Sequence, residues 1–115
     1  MLYNVYMMKT QRKRRSDRNH VIYYILDVET NEYYIGLTAL SFGGNVYSTM
    51  YRRMQKHMQR ALAENKDWGL SQALRERGAE RFVFDKVAIV RGKRSAHAYE
   101  TALIKQLDPA LNTFK

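Results

Sequence analysis

Three sets of residues in this chain could do chemistry. They are two tyrosines on adjacent short segments, an arginine and a histidine one helical turn apart, and a glutamate set among apolar residues. Tyr23 and Tyr34 lie within His20–Gly36. Val21–Val28 and Glu32–Leu37 are rich in β-branched and aromatic residues and flank the polar Glu29-Thr30-Asn31-Glu32, the pattern of a hairpin. A turn centred between Thr30 and Asn31 predicts that Leu26 faces Ile35 and Asp27 faces Tyr34. Side chains alternate along a strand, so Tyr23, Asp27 and Tyr34 share one face. Ile22, Leu26, Val28, Tyr33 and Ile35 share the other, the expected core face. The two hydroxyls then stand side by side next to Gly36, which has no side chain and leaves room for an approaching group. A turn of odd length would separate the two tyrosines.

The arginine and histidine sit on a helix predicted from a Ser48 cap to about Glu64. Met50, Met54, Met58, Ala61 and Leu62 form its apolar stripe. Arg53, His57, Arg60 and Glu64 run along one flank of that stripe, where core meets solvent, while Arg52 and Lys56 point further out. The glutamate is Glu100. A helix is expected from about Ala96, capped by Ser95, to Leu107, with Pro109 as its stop. Ala96, Tyr99, Leu103, Ile104 and Leu107 make its apolar stripe, and 3.6 residues per turn put Glu100 in the middle. A carboxylate there is costly unless a cation satisfies it. That cation could be an arginine such as Arg53, in a structural pair. It could also be a metal ion, and carboxylates prefer hard cations such as Mg²⁺.

Further elements position these groups. Asp67 can cap a short helix through Leu70, Ala73 and Leu74 that Gly78 ends, and Arg81–Val90 reads as a strand. The order is β-β-α-α-β-α. The expected fold is α+β, a small, mostly antiparallel three-stranded sheet flanked by helices.

Composition narrows the partners. The chain has 115 residues, enough for one domain, and no cysteine, which excludes disulfides, thiolate metal sites and cysteine nucleophiles. His20, His57 and His97 form no closely spaced pair. No apolar run approaches membrane-spanning length, and the basic cluster follows the apolar start, the wrong order for a signal peptide. An intracellular protein is expected, cytoplasmic or nucleoid-associated in a prokaryote or phage, with no membrane partner. The net charge is +9 and the pI about 9.9, which points to a polyanion, nucleic acid first. Residues 1–19 read as a flexible basic arm and 20–115 as the folded domain. Lys9, Arg12, Lys13, Arg14, Arg15 and Arg18 give the arm six positive charges against Asp17. The arm is either a solvated tail or a contact to the phosphate backbone.

Val21-Ile22-Tyr23 followed by Tyr34-Ile35-Gly36 resembles the signature of the GIY-YIG nuclease family. That pattern continues with an arginine on the next helix, a glutamate on a later helix and a closing asparagine. Arg53, Glu100 and Asn112 match in order, the last within Leu-Asp-Pro-Ala-Leu-Asn-Thr, and His57 follows Arg53 as in many members. The resemblance covers His20 to about Thr113. Two features depart from it. Val21 replaces the first glycine, and Arg53 follows Gly36 by 17 residues, longer than the family's common connection. The extra loop, Leu37–Tyr47, could contact DNA or shift the register and make Arg52 the rival of Arg53.

The resemblance implies a DNA endonuclease that hydrolyses phosphodiester bonds with one Mg²⁺ or Mn²⁺ per active site. Free-standing homing-type, phage or restriction-type enzymes fit. So does a structure-specific repair or recombination nuclease, and a non-catalytic binding module that keeps the fold is the alternative. The implied roles are metal binding for Glu100, phosphate charge neutralisation for Arg53, and orientation of water by Tyr23 or Tyr34. Tyr23 could act as general base only if a metal or arginine lowered its pKa from near 10. His57 is a proton relay or a packing residue, and Asn112 fixes the site. Double-stranded DNA is the expected partner, met by the arm and by Arg52, Lys56 and Arg60.

Overall fold

The computed structural model describes residues 18–40, 45–66 and 68–113. Along the chain it contains β1 (Asn19–Asp27), β2 (Tyr33–Ala39), α1 (Val46–Leu62), α2 (Gly69–Arg77), β3 (Phe82–Arg91) and α3 (Lys93–Leu107), with a 3₁₀ turn at Ala79–Arg81. This is the expected α+β order. The sheet runs β2-β1-β3 and both pairings are antiparallel.

The hairpin register differs from the expected one by two residues. Tyr23 stands opposite Gly36, Ile25 opposite Tyr34 and Leu26 opposite Tyr33. The cause is Asp27. Its carboxylate accepts from the Glu29 and Thr30 N–H groups at 2.9 and 3.4 Å, which starts the turn one residue early. The Asn31 N–H then bonds the Asp27 carbonyl, with Asn31 in the left-handed region at φ 63°. A slip of two residues preserves the faces, so Tyr23, Asp27 and Tyr34 do lie together.

The expectation of a single core face does not hold, because helices cover both. On the tyrosine face, Val21, Tyr23 and Ile25 pack with Met50 and Ala61 of α1, Leu74 of α2 and Phe82. On the other face, Ile22 and Ile35 meet Ile104 of α3. Val28, expected in that core, is 52% exposed. β3 serves both faces through a bulge. Ile22 pairs with Ala88 but Tyr23 pairs with Lys86, so Val87 is the extra residue. Phe82 and Phe84 therefore point to the tyrosine face and Val90 to the α3 face.

Element ends shift for local reasons. Asn45, not Ser48, caps α1, its Oδ1 accepting from the Ser48 N–H at 2.8 Å. The helix stops at Leu62, which is 62% exposed and outside the apolar stripe. β2 runs to Ala39, so the connection to α1 is Leu40–Asn45 rather than Leu37–Tyr47. α3 begins at Lys93 after Gly92, whose φ is 92°, so Ser95 lies inside its first turn. Arg81 belongs to the 3₁₀ turn instead of β3. Gly78 ends α2 as expected, at φ 91°, while Asp67 lies outside the described residues. So do Lys9, Arg12, Lys13, Arg14 and Arg15 of the arm. The Arg18 carbonyl is bound by the Gly92 N–H and by His20 Nδ1, both at 2.9 Å. No described helix is long and apolar enough to cross a membrane.

One buried charge ties these elements together. Asp27, fully buried, meets Arg77 at 3.0 Å and Arg81 at 2.9 Å. Arg77 also reaches Glu32 and Arg81 reaches Glu29. Burial alone would raise the Asp27 pKa, but the Glu29 N–H and the two guanidinium groups hold it well below the ordinary carboxylate value. The stabilisation from its ionised form is then complete above about pH 4, the unfolded value, and is lost as the pH falls below it. Asp27→Asn should lower Tm at pH 7, and its gap from wild type should shrink as the pH drops from 4 towards 2. A pH series of thermal unfolding curves measures this.

Candidate active site

The site grows from the pairing of Tyr23 with Gly36. A side chain on Gly36 would overlap the Tyr23 ring and hydroxyl and the Tyr34 ring. Space at this glycine is therefore filled by the two tyrosines and does not admit a ligand, contrary to the sequence expectation. Laid across the neighbouring strand, the Tyr23 ring brings its hydroxyl to α1. There Tyr23 Oη lies 2.7 Å from His57 Nε2, and the Arg53 Nε–H donates to the same oxygen at 3.3 Å. Arg53 and not Arg52 faces the tyrosines. Arg52 and Lys56 are exposed and, with Arg53, border a groove beside Thr38. The Tyr34 ring meets His57 edge-on, with centroids 5.2 Å apart.

Burial sets the protonation states. Tyr23 is 2% exposed and His57 4%. Desolvation, with a smaller contribution from Tyr34, raises the Tyr23 pKa well above the ordinary phenol value despite Arg53. The same cause raises Tyr34, and Arg53 opposes it. Among the protein's own groups, then, Tyr23 is a neutral phenol, and the lowered pKa that a tyrosine base requires is absent. His57 is pushed down to about 3, by burial first and then by Arg53 and Arg60, so it is a neutral imidazole. In its Nδ1–H tautomer, Nε2 accepts the Tyr23 hydroxyl proton while Arg53 donates to the oxygen. In that tautomer the polarity of the triplet runs from arginine through tyrosine to histidine.

Glu100 lies on α3, across a cleft from these groups. It is 19% exposed, and His97 Nδ1 lies 3.9 Å from its carboxylate. No arginine ion pair with Glu100 occurs among the described residues, so the structural-pair alternative is not realised. Burial raises its pKa, offset by His97 and Arg53. No group of three or more His, Asp or Glu among the described residues could hold a metal ion. A lone, partly desolvated carboxylate still suits Mg²⁺, which keeps several waters and binds through one or two carboxylates and substrate phosphates.

Asn112 is a clip. Its Oδ1 accepts from the Ile35 N–H and its Nδ2 donates to the Ile35 carbonyl, both at 2.9 Å. With the Leu111 N–H on the Tyr33 carbonyl, the tail covers the free edge of β2 between the tyrosine and the glycine. The clip consumes the amide, which makes Asn112 a positioning residue. Val21 is fully buried in the core opposite Thr38, and its side chain lines none of the clefts.

The cleft has a volume of about 410 Å³ and starts at Tyr34, His57 and Glu100. It continues past Arg60 and Trp68. Sequence reasoning missed Trp68, since it lies just before α2 outside any apolar periodicity, and only tertiary packing brings it to the site. Arg60 faces this cleft, half-buried, rather than open solvent.

A model of the GIY-YIG catalytic domain matches residues 19–115. No curated protein and no solved structure matches the chain.

Gly36→Ala should displace the Tyr23 ring and break its contact with His57. Forced overpacking costs about 1–3 kcal/mol, read as a lower denaturation midpoint with an unchanged slope. A variant as stable as wild type would show that the ring does not rest on this glycine.

Proposed function

Because the chain belongs to the GIY-YIG catalytic-domain family, whose fold is of the nuclease type, we propose that it is a DNA endonuclease acting on duplex DNA inside the cell. The observation that carries this reading is the Tyr23 hydroxyl, held between Arg53 and His57, with Arg53, Tyr34 and Glu100 lining one cleft beside it.

Glu100 is the residue that holds the metal, one Mg²⁺ or Mn²⁺ per site. Bound there, the ion supplies charge stabilisation at a phosphate oxygen and at the leaving oxygen. Arg53, whose planar fork suits phosphate, balances charge that develops on the phosphorus. Tyr23, kept as a neutral phenol, orients the attacking water with a hydroxyl that Arg53 and His57 hold in place. Tyr34 narrows the cleft beside the phosphate. Arg52, Lys56 and the basic arm contact the backbone and position the enzyme without reading sequence. A role of homing, phage or restriction type fits a nuclease domain with this basic surface. The binding-only alternative rested on Val21, which lies in the core away from the cleft.

Plasmid cleavage with and without Mg²⁺ tests the proposal. Glu100→Ala should abolish cleavage while DNA binding in EDTA persists. Arg53→Ala should slow single-turnover cleavage by about 10²–10³, the usual loss for one oxyanion partner, and Arg52→Ala should mainly weaken binding. Cutting by Glu100→Ala at the wild-type rate would contradict the metal assignment.

The arm has its own readout. Removing residues 1–17 deletes Lys9, Arg12, Lys13, Arg14 and Arg15 but keeps the Arg18 carbonyl that anchors β1. Each lost phosphate contact flattens the salt dependence of log K by about 0.9, so the slope should fall by roughly two to five. The cleavage rate at saturation should change little. An unchanged slope would make the arm a solvated tail.

A further inference from the structure

Beyond Glu100 the cleft is more than a phosphate site needs. We infer that it is a nucleotide subsite, in which one nucleotide next to the scissile phosphate leaves the base stack and seats its base against Trp68. The inference rests on the nuclease reading and deepens it by naming the form of the substrate.

Three observations support it. First, the cleft is continuous with the reaction site, because Tyr34, His57 and Glu100 line its near end. Its volume of about 410 Å³ falls in the range of small-ligand pockets, roughly 300–1,000 Å³. It can take a single base, and a duplex is too wide to enter. Second, the far walls have the chemistry of a base pocket. The Trp68 indole stands with apolar Leu70, Ile104 and Leu111 around it, and stacking on an aromatic face is the sequence-tolerant way to hold a base. Third, the charges fit a strand that enters and leaves. Arg60 Cζ lies 5.6 Å and Lys66 Nζ 5.5 Å from the Trp68 ring centroid. Arg60 has no carboxylate partner among the described residues. A base that takes one ring face frees the cation there for its own flanking phosphate, so stacking and phosphate contact are gained together.

Extrusion from an intact duplex costs unstacking and unpairing energy, least where the base is already unpaired. The preferred substrate is therefore DNA with an unpaired nucleotide at the cut, such as a bulge or a single-strand junction, rather than an unbroken duplex.

Trp68 is the only tryptophan in the chain, so its fluorescence reports the site directly. The full chain is titrated in EDTA with short single-stranded oligonucleotides and with the same strands made abasic, which keep every phosphate. Base-bearing strands should quench Trp68 and abasic strands should not. Trp68→Leu should bind base-bearing strands roughly five- to 150-fold more weakly, the range for loss of one stacked base, with Trp68→Phe close to wild type. Equal quenching by both kinds of strand would overturn the subsite, as would equal binding by Trp68→Leu. If Trp68→Leu fails to fold, the wild-type quenching comparison decides. With Mg²⁺, bulged duplexes should be cut faster than unbroken ones. Base-dependent quenching without any cleavage would sink the enzyme and keep the subsite. Cleavage with base-independent quenching would sink the subsite alone.

Discussion

The structure depends on one close approach, the Tyr23 ring lying over Gly36 on the neighbouring strand. Cross-strand partners stand only about 5 Å apart, and a phenol can cross that gap only where its partner has no side chain. The crossing carries the Tyr23 hydroxyl off the sheet to α1, where Arg53 and His57 complete its hydrogen bonds. It also makes β2 a strand that must not slip. The Asn112 amide answers that need by binding both backbone groups of Ile35, next to Gly36. An open sheet edge would otherwise present unpaired groups there.

Two buried polar systems share the tyrosine face, and they solve burial in opposite ways. At the hairpin end, Asp27 stays ionised because two arginines and two backbone N–H groups surround it. Four residues away along β1, Tyr23 and His57 stay neutral because desolvation outweighs the nearby arginine. The charged system joins β1, α2 and the 3₁₀ turn that leads into β3. The neutral one holds the Tyr23 hydroxyl in place between Arg53 and His57.

Much of this was legible in the residues. Faces in a hairpin follow a period of two, so Tyr23 and Tyr34 were correctly paired even though the register was off by two. Glu100 declared itself as a carboxylate in an apolar stripe, and it does stand partly buried without an arginine. The register itself depended on the Asp27 side chain bonding into its own turn, which alternation does not encode. Burial of both faces depended on the bulge at Val87, which lets even-numbered residues of β3 face opposite ways. The sequence left the state of Tyr23 conditional on a metal or arginine lowering its pKa; burial raises it instead, and how deeply a strand residue is desolvated depends on which helices cover it. Trp68 left no sequence signal, because Arg60, which lies over its ring, and Leu111 and Glu100, which line the same cleft, are on other elements or remote in the chain.

The central claim is that a neutral His57 accepts the Tyr23 hydroxyl's hydrogen bond through Nε2. Histidine ¹⁵N NMR on the full chain tests it most directly. The account predicts that His57 shows a protonated Nδ1 and a bare, hydrogen-bonded Nε2, with shifts that stay constant from pH 5 to 8. A His57 that titrates near its ordinary value of about 6.5, or that carries its proton on Nε2, would contradict it.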